Sequence, residues 1–338
     1  MNDSGEVRAA IVGLGRWGQA LVTAGKAHAG ALRFTHATTR TLATAEAFCA
    51  DHALKLEPDY ETLLRNPDLE AVVLATPHSQ HGDQIRAAAA AGKHVFVEKP
   101  LALTLADAES AVAAAKAAST QICVGFNRRF LPAYRALTAA IEAGKLGRLL
   151  HVEGNFSGAF GYQYTDAMWR GTPGENPAGG MAAMGIHILD AMLAVMGPVR
   201  RVSTLSKRLA VASGVDDTTM VAMEYESGAT GSLSTLMATG SFWRLHVFGT
   251  EGWAQMPDQN TLVLSDLAGR QTTENFTATD TLAAELDTFA QAIRSKASYP
   301  VSLREALMGV AAMTAIGASA RDSGAWVAVE NPASATAA

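Results

Sequence analysis

Cysteine is nearly absent from this chain: Cys49 and Cys123 are the only two in 338 residues, and they fall in different expected elements. That excludes a disulfide scaffold and a cysteine-built zinc site, and it reads both thiols as buried small hydrophobes. An excess of positive charge is missing as well. With a net charge of −5 there is no basic footprint for nucleic acid and no polybasic patch for a membrane surface. Long apolar runs are lacking, because Lys, Arg, Asp or Glu interrupts each stretch before it can span a bilayer. The opening MNDSGEVRAAIVGLG passes straight into an expected strand and leaves no room for a signal peptide's charged and apolar regions. The expectation is therefore a cytoplasmic protein. His78, His81 and His94 make no metal-binding pattern, so no metal is expected.

What is present is a globular composition, 49% apolar and 17% charged, in a chain long enough for two domains. Over the first 125 residues short apolar runs alternate with amphipathic stretches. Strands are expected at Val7–Val12, Leu32–Thr39, Ala71–Ala75, His94–Glu98 and Gln121–Gly125. Helices are expected at Trp17–Ala27, Leu42–His52, Tyr60–Arg65, Gln80–Ala91 and Leu105–Ala118. Such alternation predicts an α/β domain with a doubly wound parallel sheet over residues 1–125. From 126 to 330 the texture changes to an α+β pattern: a helix Pro132–Ala143, a strand Leu149–Asn155, a long Gly- and aromatic-rich loop, a helix Met181–Met196, alternating strands between Arg201 and Val263, and helices Leu282–Ser295 and Leu303–Ser319. This predicts an open, mostly antiparallel sheet, followed by a disordered tail at 331–338. A loop as long as the one before Met181 is uncommon unless it has a function.

Gly13-Leu14-Gly15-Arg16-Trp17-Gly18 is a G-x-G-x-x-G between an expected strand and helix. Gly13 permits a tight turn, Gly15 lets backbone approach a pyrophosphate, and Gly18 lets helix and strand pack closely. The helix N-terminus then favours phosphate charge. At the end of the second strand, where an acid would bind the ribose hydroxyl of NAD, the chain has Ala37-Thr38-Thr39-Arg40. Arg40 reads either as a partner for a 2′-phosphate, with Thr38 or Thr39 donating hydroxyls, or as a solvated residue at a helix start. The first reading is favoured, so NADP is expected over NAD.

Beyond this motif, AIVGLGRWG, LATPHSQH, VFVEKPLALT, VGFNRRFLPAY, GGMAAMGIHILD, VDDTTMVAMEYESGATGSL, VFGTEG and PVSLREAL together resemble the Gfo/Idh/MocA oxidoreductases, relatives of glucose–fructose oxidoreductase and inositol dehydrogenase. The likeness covers nearly the whole chain, and Glu98-Lys99-Pro100 is its most specific part. It implies a Rossmann domain, a C-terminal domain whose open sheet forms a homodimer or homotetramer interface, and redox at a carbinol carbon of a sugar, polyol or related ring. It makes Lys99 a catalytic or substrate-orienting residue and places His187 on the catalytic helix, where a histidine can shuttle the alcohol proton. Asp190, three residues on, shares a helical face and is expected to orient the imidazole. The likeness also implies that Thr76, Pro77 and His81, with Glu98, border the cofactor.

Arg128, Tyr162, Tyr164, Trp169 and Arg170 are candidate walls of the substrate pocket, for which packing is an equal alternative. Asn127 and Arg129 are basic or polar neighbours at a domain junction. One position departs from the family pattern: an Asp commonly stands four residues before the histidine, and here it is Ala183. The leading reading is an NADP-preferring dehydrogenase or reductase. A trans-dihydrodiol-type dehydrogenase competes within enzymes. A non-catalytic NADP-binding regulator competes from another class, favoured by Ala183 and opposed by the retention of Lys99 and His187.

Overall fold

The first strand, β1 (Val7–Val12), is buried on both faces apart from Arg8, as a central strand with helices on either side must be. The computed structural model describes residues 5–27, 31–295 and 297–332. After β1 come α1 (Arg16–Ala27), β2 (Leu32–Thr38), α2 (Glu46–Asp51), β3 (Lys55–Leu56), α3 (Tyr60–Arg65), β4 (Ala71–Leu74), α4 (His81–Ala90), β5 (His94–Glu98), α5 (Leu105–Ala117) and β6 (Ile122–Gly125). The six strands form one sheet in the order β3-β2-β1-β4-β5-β6, and every pairing is parallel. The order reverses between β1 and β4, the switch point at which open α/β sheets bind ligands beyond their carboxyl ends. The expected helix Leu42–His52 is shorter, a 3-10 turn at Leu42–Thr44 followed by α2.

Two compact units make up the chain: Met1–Asn127 with Asp280–Leu303, and Arg128–Thr279 with Arg304–Ala338. A division at residue 125 therefore omits a helix, Thr281–Ser295, that returns to the first unit. Its Leu286, Phe289 and Ala290 join the core built on β1, with the Phe289 ring 5.8 Å from that of Phe96. Arg294 completes the attachment. It forks onto Glu70 at 2.7 and 2.9 Å and donates to the carbonyls of Gly5 and Glu6. The guanidinium hydrogen bonds hold the Glu70 carboxyl below the usual carboxylate range. Cys49 and Cys123 are both buried in this unit and free, and burial pushes the Cys123 thiol up.

In the second unit the order is α6 (Pro132–Glu142), β7 (Leu149–Ser157), a π-helical turn Met181–Gly185, α7 (Ile186–Met196), β8 (Val199–Lys207), β9 (Thr218–Tyr225), β10 (Thr230–Leu236), β11 (Phe242–Gly249), β12 (Gly252–Met256), β13 (Thr261–Asp266) and β14 (Gln271–Asn275). The helix already placed in the first unit is α8; α9 (Leu303–Arg321) and β15 (Val327–Ala328) close the chain. Nine strands pair in the order β14-β13-β12-β11-β7-β10-β9-β8-β15. Only β7 and β10 run parallel; all other pairs are antiparallel.

Burial alternates along β9 to β12, so one face is core and the other open. On the core face α7 lies directly on β7 at Gly154, where a Cβ would strike Ile188 and come 2.7 Å from the Met192 sulfur. Among the described residues no helix is long and apolar enough to cross a membrane. Most of the expected disordered tail, from 333, lies outside the described residues.

Candidate functional site

In the first unit the candidate residues gather at the carboxyl ends of β1, β2, β4 and β5. The turn after β1 is held shut on one side: the Gly13 amide donates to the Thr38 carbonyl at 2.8 Å, and the Leu14 amide to the Thr39 hydroxyl at 3.4 Å. Gly13 has φ +94°, and a Cβ there would come 2.6 Å from the Ala75 carbonyl oxygen; a Cβ on Gly18 would strike the Gly13 carbonyl. Gly15 differs, since nothing lies within 4 Å of where its Cβ would be. The turn is therefore tight at both shoulders and open at its centre, at the start of α1. That is the shape a pyrophosphate needs, so the residues present fit a dinucleotide.

Arg16 is exposed beside this opening, whereas Trp17 is half-buried and packs against the core. Arg40 is exposed one residue beyond Thr39. Following β4, the Thr76 hydroxyl donates to Gln84 at 2.6 Å, and Pro77 caps the short turn His78–Gln80. His81 is fully buried. Its Nδ1 stands 2.8 Å from the Pro100 carbonyl and its Nε2 3.2 Å from the Thr76 carbonyl. It thus ties the segment after β4 to the segment after β5. Glu98 is buried beside Gly125 of the neighbouring strand, and Lys99 is half-exposed where β5 ends. Asn127 is buried and donates to Thr281 at 3.2 Å.

In the second unit His187 is buried near the start of α7, immediately after the π-helical turn. Such turns are rare and often mark functional sites. Phe156, at the end of β7, stands with its ring centroid 6.1 Å from that of His187. The Arg128 guanidinium lies 5.5 Å from the same Phe156 ring. Arg128, Phe156 and His187 are thus grouped.

Asp190 is a correction. Its carboxylate accepts from Arg129 Nε at 2.6 Å and Nη2 at 2.9 Å, and it is committed to that fork. Asp190 therefore does not orient the His187 imidazole, although the i, i+3 spacing suggested it. Glu305 reaches the same Arg129 Nη2 at 3.1 Å. Burial works against the Arg129 charge, but Asp190 and Glu305 outweigh it and push the guanidinium above its usual range. Arg129 is thus the structural arginine of the pair, and Arg128 the one beside His187.

The loop candidates divide. Tyr164 packs with Phe156, Phe160 and Ala183 against Met184, Val215 and Met237. Tyr162 is 64% exposed and donates to the Ala238 carbonyl at 3.2 Å. Arg170 stacks on Trp169 at 4.1 Å, and the Arg170 carbonyl accepts from the buried Asn176 at 2.7 Å.

Sequence reading missed Asp217. Its Oδ2 accepts the backbone amides of Leu209, Ala210 and Val211 at 2.9, 2.6 and 2.9 Å, and its Oδ1 the Thr218 hydroxyl at 2.8 Å. That clamp fixes the loop before β9; the doubled acid in VDD was its only sequence signal. Among the described residues no cluster of three His, Cys, Asp or Glu side chains could hold a metal ion. His36 hydrogen-bonds with Thr35 and Asn66, and His52 with the Phe48 carbonyl.

Comparison with known proteins gives the same two parts. Residues 7–126 match the oxidoreductase family, NAD-binding Rossmann fold, of GFO/IDH/MocA, and residues 134–255 match the GFO/IDH/MocA C-terminal domain. A trans-1,2-dihydrobenzene-1,2-diol dehydrogenase from Bos taurus is 30% identical over 222 residues, 65% of this chain and 64% of its own length. A scyllo-inositol 2-dehydrogenase (NAD+) from Bacillus subtilis is 32% identical over 203 residues, 58% of this chain and 57% of its own. The matched regions thus span less than two thirds of each of these relatives, 64% and 57%. Among solved structures, a levoglucosan dehydrogenase in complex with NADH and L-sorbose has the same fold, with TM-score 0.87 and 21% identity over 96% of this chain and 99% of that one. An oxidoreductase from Desulfitobacterium hafniense superposes with TM-score 0.88 at 25% identity, over 97% of this chain and 99% of that one.

Proposed function

Because the chain belongs to the GFO/IDH/MocA oxidoreductase family, we propose that it transfers hydride between a nicotinamide cofactor and a carbinol carbon of a sugar, polyol or related cyclic hydroxyl compound. The observation that carries this reading is the position of Lys99. It directly follows β5, two strands along the same sheet from the open turn at Gly15, on the side where such sheets bind ligands.

Gly13, Gly15, Arg16 and Gly18 would hold the pyrophosphate, Thr39 and Arg40 the adenosine ribose, and Thr76, Pro77 and Glu98 the nicotinamide side. When bound, the nicotinamide accepts two electrons with the hydrogen of the carbinol carbon as alcohol becomes ketone, which is the hard part of the chemistry. Lys99 donates to the substrate oxygen and offsets its developing negative charge. His187 takes the hydroxyl proton and passes it to solvent. With Asp190 bound to Arg129 and Ala183 in place of an acid, neither of these two positions supplies His187 with a carboxylate.

We assign NADP as the preferred cofactor, since no carboxylate stands at the end of β2 to repel a 2′-phosphate and the exposed Arg40 can pair with one. Titrating both cofactors by reduced-nicotinamide fluorescence should show tighter NADP(H) binding. In Arg40→Ala that advantage should shrink by roughly tenfold or more, as a charged hydrogen bond contributes about 1.5–3 kcal/mol. Equal affinities in the wild type would remove the assignment.

The open sheet face bears the apolar side chains Met220, Leu236, Phe248 and Trp253, and apolar residues exposed together can mark an interaction surface. A homodimer or homotetramer through this face is the expected state. Light scattering at micromolar concentration checks it, and a monomer there would contradict it.

A further inference from the structure

We propose, building on the hydride-transfer reading, that the substrate ring carries a hydrocarbon edge without hydroxyls, and that Ala183 and the apolar wall around it select such a ring over a fully hydroxylated one. Ala183 sits in the π-helical turn and packs against Met184, Val215 and Met237 together with Phe156, Phe160 and Tyr164. Ala183, Phe156, Phe160 and Tyr164 are partly exposed, whereas the three residues behind them are buried. The result is an apolar surface with a buried backing. Phe156 belongs both to this wall and to the ring pair with His187, so the wall borders the group assigned to the substrate's proton.

The wall is built in place. Met237 is pinned by backbone on both sides, its amide donating to the Asp217 carbonyl and its carbonyl accepting from the Gly161 amide, each at 2.8 Å. Gly161 and Gly180 have no room for a Cβ, because Val211 and Met237 fill that space at the first, and Met237 and Thr235 at the second, at 2.7 to 2.9 Å. The Asp217 clamp on residues 209–211 fixes Val211 in turn.

Of the seven side chains in this cluster, only Tyr164 carries a hydroxyl. A ring hydroxyl pressed against the remainder loses its water and gains no partner, which weakens binding roughly ten- to a hundredfold. A C–H edge in the same place gains contact. An Asp at 183 would instead offer an acceptor to that hydroxyl, so the residue at this position shifts the balance between the two rings.

The test uses full-length protein with nicotinamide cofactor and two probes, trans-cyclohexane-1,2-diol and myo-inositol. Binding is read by calorimetry and turnover by nicotinamide absorbance. The wild type should bind the cyclohexanediol at least roughly tenfold more tightly than inositol. In Ala183→Asp the ratio should fall by at least tenfold, and in Ala183→Ser by less, with thermal melting confirming that each variant is folded. Inositol bound as tightly as the diol, neither ring bound, or a ratio unchanged in folded variants overturns the proposal. Rings that bind with the expected preference but are never oxidised overturn the hydride-transfer reading instead.

Discussion

Lys99→Ala and His187→Ala are each expected to reduce kcat/KM by roughly 10²–10⁴-fold, the usual cost of removing one positioned acid or base. Cofactor affinity should stay nearly unchanged, because the phosphate cradle is made by backbone and glycines around Gly13 and Gly15. Lys99 follows β5, whose last four residues are buried, so its loss leaves the β5 core in place. His187 is buried at the start of α7, so melting temperatures accompany its kinetics. If the two residues serve one substrate oxygen, the double variant should lose less than the product of the single losses, since groups acting as a unit are non-additive. His187→Ala with near-normal turnover would show that the proton leaves by another route.

Asp190→Ala should cost about 3–5 kcal/mol of stability, the range for breaking one side of a buried ion pair. Arg129 and Asp190 are both almost fully buried, and without Asp190 the guanidinium retains, among the described residues, only Glu305 as a charged partner. The pair joins the segment leading into α6 with α7, and Tyr134 adds a hydrogen bond to the Ala191 carbonyl at 3.1 Å. Replacing both charges, as in Arg129→Met with Asp190→Leu, should recover much of the loss, because apolar substitutes avoid the desolvation of two ions. Urea denaturation of the single and double variants measures this. A single variant as stable as the wild type would mean that the fork contributes nothing to the folded state.

Much of the first unit was legible because its signals are local. VRAAIV, AVVL and HVFVE are short apolar runs, and the glycine turn declares itself at fixed spacing. What the sequence hid was long-range or too short to have a period. β3 has two residues and β14 is wholly exposed and polar, so neither carries an apolar repeat. The attachment of α8 to the first sheet joins residues far apart in the chain, as where Arg294 meets Glu70, 224 residues away.

In the second unit, MAAMGIHIL is apolar on nearly every side, so a 3.6-residue period cannot distinguish its π-helical turn from the α7 that follows. Spacing put Asp190 on a helical face with His187 but could not reveal that Arg129 occupies both its oxygens. The same limit concealed Asp217, whose partners are backbone amides that no residue type announces.

The most direct test of hydride transfer is an isotope measurement. A cyclic diol carrying deuterium on its carbinol carbons is incubated with the protein and oxidised cofactor, and the reduced cofactor is weighed by mass spectrometry. The account predicts reduced nicotinamide carrying one deuterium, delivered to a single face, with the diol oxidised to the hydroxyketone. Reduced cofactor without deuterium would contradict it, as would no reduction of bound cofactor by the diol, inositol or a hexose.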